Sequence, residues 1–118
     1  MSIPPRLMFE AMLARQGGMF TFEDVLQYIQ TGRFQSWNQD ETWVITQIHS
    51  FPRRKVLEIV WVVGDWRHVE SLEERLIEWA KDLGIDMLMA VGREGFTKTA
   101  LPGWKPVSRN FIKDLKNG

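Results

Sequence analysis

Residues 55–83 constrain the fold of this chain more than any other segment. They begin with the apolar run LEIVWVV, which is rich in β-branched residues and predicts a strand covered on both faces. Gly64 follows the strand, and an amphipathic helix pattern begins soon afterwards, with one apolar face made of Val69, Leu72, Leu76, Ile77 and Leu83. The first turn of a helix offers unpaired N–H groups and a partial positive charge. The segment therefore predicts an α/β fold with a candidate anion site at the strand–helix turn.

Other patterns add two helices and a hairpin before this unit. Residues 5–16 fit a short helix that ends at two glycines. Thr21 and Asp24 have the spacing of a capping box, which predicts the start of a second helix. Thr42–Ser50 and Lys55–Val63 are strand-like runs separated by a turn that contains proline, and we expect them to form a hairpin.

The order of these elements predicts a mixed sheet with helices on both faces. Residues 36–40 are polar and typical of a turn, whereas residues 85–91 have the composition of a further central strand. Residues 104–115 are predicted to form the last strand, although Pro106 restricts its pairing. A hairpin followed by a strand–helix–strand crossover combines antiparallel and parallel pairing. The length of 118 residues is that of a single domain.

The composition argues against several classes of function. Fifteen basic and fifteen acidic residues cancel, so the charge favours neither nucleic acid nor an anionic membrane as a partner. No apolar run is long enough to span a bilayer, and no secretory signal is recognisable, so we expect an intracellular protein. The chain has no cysteine, which excludes disulfides and thiolate ligands. His49 and His68 do not form a metal-binding pattern.

Two stretches resemble the GNAT acetyltransferase superfamily. LEIVWVV resembles the central strand of its histone-acetyltransferase-like members, in which a glutamate acts as general base, and Glu58 matches that position. GREGFTKTALPGWKPV resembles the C-terminal stretch of the family, and Gly103-Trp104 matches its glycine–aromatic pair. The same stretch is similar to small GNAT-like proteins of tailed phages and prophages.

The resemblance covers about residues 21–115, and it implies a GNAT-like domain over residues 21–118 without the family's first strand. Residues 1–20 would be an N-terminal helical extension.

The stretch that corresponds to the family's acyl-CoA loop departs from the pattern. The family motif is Gln or Arg, two residues, Gly, one residue, then Gly or Ala. Residues 68–73 have no glycine at either of the two motif positions, and they contain two glutamates. Asp65 is well placed to cap the following helix, and its charge would repel a phosphate. Trp66 adds bulk where the cofactor would lie. Thr99 stands approximately where the family has its general-acid tyrosine.

Two functions of different classes follow from the resemblance. The first is a GNAT-fold phage or prophage protein with a degenerate acyl-CoA loop and no cofactor, which is non-catalytic or barely catalytic. It acts through contacts with a phage or host protein in virion assembly or host takeover. Its location would be the host cytoplasm or the virion. The second is an acyl-CoA-dependent N-acetyltransferase that uses acetyl-CoA. In that protein Glu58 is the catalytic base, and the cofactor-binding residues are Val62, Val63, Arg67, His68 and Ser71.

Each candidate residue also has a structural explanation. Glu58 could lie at a sheet edge or be paired with a nearby arginine, and the first helical turn with Arg67 and His68 could be solvated. The run Arg53-Arg54-Lys55 could meet an acidic partner or a phosphate, or could be solvated. Three tryptophans do not lie on the predicted core face of a helix or strand: Trp37, Trp43 and Trp66. They could form a patch that faces a partner, or they could pack in the core.

Overall fold

The hairpin of β2 and β3 lies at the centre of the structure. The computed structural model describes residues 5–64, 68–90, 103–107 and 111–116. Within them, β2 (Thr42–Ser50) pairs antiparallel with β3 (Lys55–Val63). Both strands have the bounds that the sequence predicts. The turn between them is closed by a hydrogen bond from Phe51 N to Arg54 O.

Two shorter strands complete a mixed sheet. β1 (Gln35–Gln39) pairs antiparallel with β2, and β4 (Met87–Ala90) pairs parallel with β3, which gives the order β1-β2-β3-β4. The mixed sheet is confirmed. The prediction of a turn at residues 36–40 is wrong, because β2 supplies backbone partners to this polar segment. β4 was expected to be central, but it lies at the edge of the sheet that the described residues form.

The first two helices cover one face of the sheet. α1 is Arg6–Arg15 and α2 is Phe22–Gln30, and α2 begins with the predicted capping box of Thr21 and Asp24. Their apolar side chains form one buried cluster with residues of β2 and β3: Phe9, Met12, Leu13, Phe22, Val25, Ile29, Phe34, Ile45, Trp61 and Val63. α1 thus contributes to the core, although residues 1–20 were expected to be an extension. The boundary at residue 21 stays a prediction.

The third helix covers the opposite face. α3 is Val69–Asp82, and it buries Val69, Leu72 and Leu76 of the predicted apolar stripe. Leu83, which was predicted on the same face, is 43% exposed. The second cluster joins this stripe to the other side of the hairpin and contains Val44, Leu57, Ile59, Leu72, Leu76, Ala80 and Ile85. Helices therefore lie on both faces of the sheet, and the described residues make a single α/β domain.

The C-terminal segment differs from the prediction. Residues 103–107 and 111–116 contain no strand, so the prediction of a last strand over residues 104–115 is wrong for them. Pro106 has no N–H to donate to a sheet. Four apolar side chains of this segment are at least 66% exposed: Val107, Phe111, Ile112 and Leu115. No helix among the described residues has the length and apolar character that a membrane crossing requires.

Candidate functional site

A β-bulge in β3 determines which side chains reach each face of the sheet. Ile45 of β2 is paired with Trp61 and Thr46 with Ile59, so Val60 is the extra residue of β3. Val60 and Trp61 consequently both pack against the cluster of α1 and α2. Because side chains alternate before the bulge, Glu58 lies on the same face as Val60.

Glu58 forms a close pair with His49. His49 Nε2 and Glu58 Oε1 lie 2.6 Å apart. The pair is a diagonal one across the hairpin, since Glu58 is opposite Gln47 and His49 is opposite Val56. The Glu58 side chain is 17% exposed and that of His49 is 31% exposed. Glu58 is therefore on an internal strand with a histidine partner, and the pair can exchange a proton with a molecule that reaches it.

An aromatic and a thioether side chain border this pair. The Phe51 ring stacks on the imidazole of His49, with 5.6 Å between ring centroids and 21° between the planes. Met87 of β4 is opposite Val56 on the other side of β3, so His49, Val56 and Met87 form one row across three strands. The row places the His49–Glu58 pair beside exposed apolar surface.

The N-terminal end of α3 is attached to the β1–β2 turn. The N-cap residue of α3 is His68, whereas Asp65, the predicted cap, lies outside the described residues. His68 Nδ1 is 3.2 Å from Thr42 Oγ1, and its Nε2 is 3.6 Å from Asp40 Oδ2. The imidazole of His68 is thus engaged by the turn. Glu70 adds a carboxylate in the first turn of the helix.

The other predicted cofactor residues are divided between three environments. Val63 is buried in the cluster of α1 and α2, and Val62 packs against the cluster of α3. Ser71 is exposed near the start of α3, and Arg67 lies outside the described residues. The structure therefore places Ser71 and His68 at the same helix end, while the side chains of Val62 and Val63 point to opposite packed faces.

Gly64 lies where the end of β3 approaches the β1–β2 turn. Its φ is +120°, and a Cβ atom built there would lie 2.8 Å from Thr42 Cα and closer still to Glu41 O. No side chain larger than the hydrogen atom of glycine fits at position 64. Gly64 therefore serves close packing between the end of β3 and the backbone of residues 41–42.

The tryptophans expected as a partner-facing patch are explained by packing where they are described. Trp37 meets Trp79 of α3 edge to face at 5.4 Å, and its Nε1 donates to Thr46 Oγ1 at 3.0 Å. Trp43 packs, partly buried, against the cluster of α1 and α2. Trp66 lies outside the described residues.

Trp104 attaches the C-terminal segment to α3. Gly103 has a φ of +94°, and the Trp104 Nε1 donates to Glu73 Oε1 at 2.9 Å. The ring is packed against the cluster of α3. The glycine–aromatic pair that carries part of the family resemblance thus has a defined structural role.

His49 was not identified as a functional residue from the sequence. The signal was present, because a four-residue turn at residues 51–54 fixes the hairpin register and places residues 49 and 58 diagonally on one face. Thr99, which stands approximately where the family has its general-acid tyrosine, lies outside the described residues. In the part of the chain that the structure describes, no three acidic or histidine side chains form a group that could hold a metal ion.

Comparison with known proteins gives a fold likeness. No family model matches the chain, and no curated protein matches it. The fold is similar to that of TTHA1254 from Thermus thermophilus, with a TM-score of 0.55 and 12% identity over 87% of this chain and 89% of that chain. It is also similar to the tetramutant of the BH1408 protein from Bacillus halodurans, with a TM-score of 0.54 and 11% identity over 87% of this chain and 86% of that one. At such identities the likeness describes the fold alone.

Proposed function

We propose that this chain is a GNAT-like protein of a tailed phage or prophage that acts through protein contacts and does not turn over acyl-CoA. The partner would be a phage or host protein in virion assembly or host takeover. The order of helices and strands supports the GNAT-like part of the proposal. The phage or prophage origin rests on the sequence resemblance of the C-terminal stretch.

The charge at the N-terminal end of α3 carries this proposal. The His68 side chain makes no cap hydrogen bond to α3, and its ring is engaged by Thr42 and Asp40, so the ring is not placed to bind a pyrophosphate. A pyrophosphate would also meet the carboxylates of Asp40 and Glu70, of which Asp40 is 67% exposed. Carboxylates near the N-terminal end of a helix repel an anionic ligand, and this repulsion offsets the attraction of the helix N–H groups for it. The two carboxylates therefore disfavour an anionic cofactor at this end of α3.

A thermal shift experiment with acetyl-CoA tests the proposal. A cofactor that binds only the folded state raises the melting temperature by mass action. We expect no rise with acetyl-CoA at millimolar concentration, and ATP at the same concentration serves as a control for nonspecific effects of a nucleotide polyphosphate. A concentration-dependent rise with acetyl-CoA alone would contradict the proposal.

The His49–Glu58 pair favours a second candidate, an acyl-CoA-dependent N-acetyltransferase. A partly buried carboxylate 2.6 Å from an imidazole is a suitable proton acceptor for an attacking amine. If acetyl-CoA does shift the melting temperature, Glu58→Gln should abolish acetyl transfer and leave the shift intact. Retained transfer in Glu58→Gln would exclude Glu58 as the base.

A further inference from the structure

We propose that one end of the molecule docks an acidic protein segment that also carries apolar side chains. The surface consists of Phe51, Arg53 and Arg54 of the β2–β3 turn, Leu83 at the end of α3, and Met87 at the start of β4; we call it the hairpin-end surface. This surface is where we place the protein contact of the proposed function, and the inference rests on that function. The residues of the surface define the chemistry of the partner.

Lys55 connects the three segments that carry these residues. Its backbone N donates to Asp86 Oδ2 at 3.1 Å, and its backbone O accepts from Asp86 N at 2.9 Å. Its ammonium donates to Leu83 O at 3.2 Å, which is a carbonyl at the C-terminal end of α3. The turn, the end of α3 and the start of β4 are therefore fixed relative to each other.

The hairpin-end surface exposes large apolar side chains. Phe51 is 52% exposed, Leu83 43% and Met87 41%. Phe51 is oriented by its stacking on His49. Aromatic and methionine side chains held in place on a surface are typical of the cores of protein interfaces.

The same surface carries cations that the described residues leave unpaired. Arg53 and Arg54 are exposed, and neither has an ion-pair partner among the residues that the structure describes. Arg53, Arg54 and Lys55 outnumber Asp82 and Asp86 in these segments, which leaves a small local excess of positive charge. A guanidinium binds a carboxylate through two parallel hydrogen bonds. The complementary partner is consequently an acidic segment.

Two other occupants fit this surface less well. The C-terminal segment of the chain itself is basic, with Lys105, Lys113 and Lys116 against Asp114, so Arg53 and Arg54 would repel it. A nucleic acid backbone carries a phosphate at every nucleotide and has no aliphatic side chains, so it would leave Phe51 and Met87 without apolar partners. A polypeptide can place its carboxylates on the arginines and its apolar side chains on Phe51 and Met87.

A titration followed by NMR tests the proposal on the intact chain. The probe is a synthetic amphipathic peptide with glutamate on one helical face and leucine on the other. We expect its addition to shift the amide signals of Phe51, Arg54, Leu83 and Met87. Arg53→Glu/Arg54→Glu should weaken binding about tenfold or more, because two charge pairs at the rim become repulsive. The matched control Lys113→Glu/Lys116→Glu has the same charge change and should bind as the natural chain does.

Several results would overturn the proposal. Shifts confined to the C-terminal segment, or equal weakening by the two double variants, would mean that the peptide follows net charge and not this surface. Tighter binding of poly-dT than of the peptide at the same residues would identify a nucleic acid site. Failure of this titration leaves the acetyl-CoA result unaffected, so the two proposals can fail separately.

Discussion

Gly64 connects β3 to the segment before α3 at a point where a side chain does not fit. We expect Gly64→Ala to destabilise the fold by roughly 2–5 kcal/mol, the sum of the unfavourable backbone conformation and the overlap with residues 41–42. Urea unfolding monitored by tryptophan fluorescence measures this loss.

Gly84→Ala is the matched control for that prediction. Gly84 also has a positive φ, +71°, but a Cβ atom there meets nothing within 4 Å. Its replacement should cost only about 1–2 kcal/mol, which is the conformational part. Equal losses at the two positions would show that close packing against the β1–β2 turn does not matter.

Residue-level chemistry was the hardest part of the structure to predict. The sequence identifies Glu58 as the carboxylate of a buried strand, but its partner His49 follows only from counting the hairpin register. His68 was considered as an anion ligand. The His68 ring contacts Thr42 and Asp40, and Asp40 lies in the turn that follows β1. Because β1 was not predicted from the sequence, these contacts could not be predicted either.

At the scale of elements, prediction succeeded where local patterns decide the structure. The capping box fixes the start of α2, and apolar runs fix β2 and β3. β1 has the sequence QSWNQ, in which only Trp37 is apolar, and it becomes a strand because β2 supplies its hydrogen bonds and α3 packs against Trp37. Tertiary contacts override local propensity in such a segment.

The attachment of α1 to α2 should depend on pH. Arg6 Nη1 lies 2.7 Å from Glu23 Oε1, and this hydrogen bond lowers the pKa of Glu23 below its usual value. A carboxyl whose pKa is lowered by folding contributes stability above its unfolded pKa, and the contribution is lost as the pH falls through the folded pKa. Arg6→Gln should therefore lower the melting temperature near pH 7, and its difference from the natural chain should shrink below about pH 4.

Arg33→Gln is a suitable comparison for the pH experiment. Arg33 lies over the Tyr28 ring, 4.3 Å from its centroid, and loses the same charge without breaking the pair with Glu23. The melting-temperature difference caused by Arg33→Gln should not follow the acid titration of Glu23. If Arg6→Gln shows the same pH profile as Arg33→Gln, the Arg6–Glu23 pair contributes nothing to stability. The effect should also weaken in high salt, because both side chains are exposed.

At the scale of the whole molecule, the sheet separates two apolar clusters that share the β2–β3 hairpin. Ile45 and Trp61 belong to the cluster of α1 and α2, whereas Val44 and Leu57 belong to that of α3. Unfolding of the helices on either side would expose one face of the same two strands to water. We therefore infer that the helices on both faces unfold together with the hairpin, as one cooperative unit.

This inference makes α1 a part of the folded domain, and Phe9 tests it. Phe9 is fully buried and meets Phe22 of α2 edge to face at 6.3 Å. Phe9→Ala should destabilise the whole domain by about 3–5 kcal/mol, since it removes a large side chain from a packed core. Leu7→Ala, on the same helix but at a residue 82% exposed, should change stability by no more than about 0.5 kcal/mol. Chemical unfolding followed by circular dichroism and by tryptophan fluorescence should give one coincident transition for each variant. If Phe9→Ala melts α1 alone and leaves the main transition unchanged, residues 1–20 are an extension and not part of the domain.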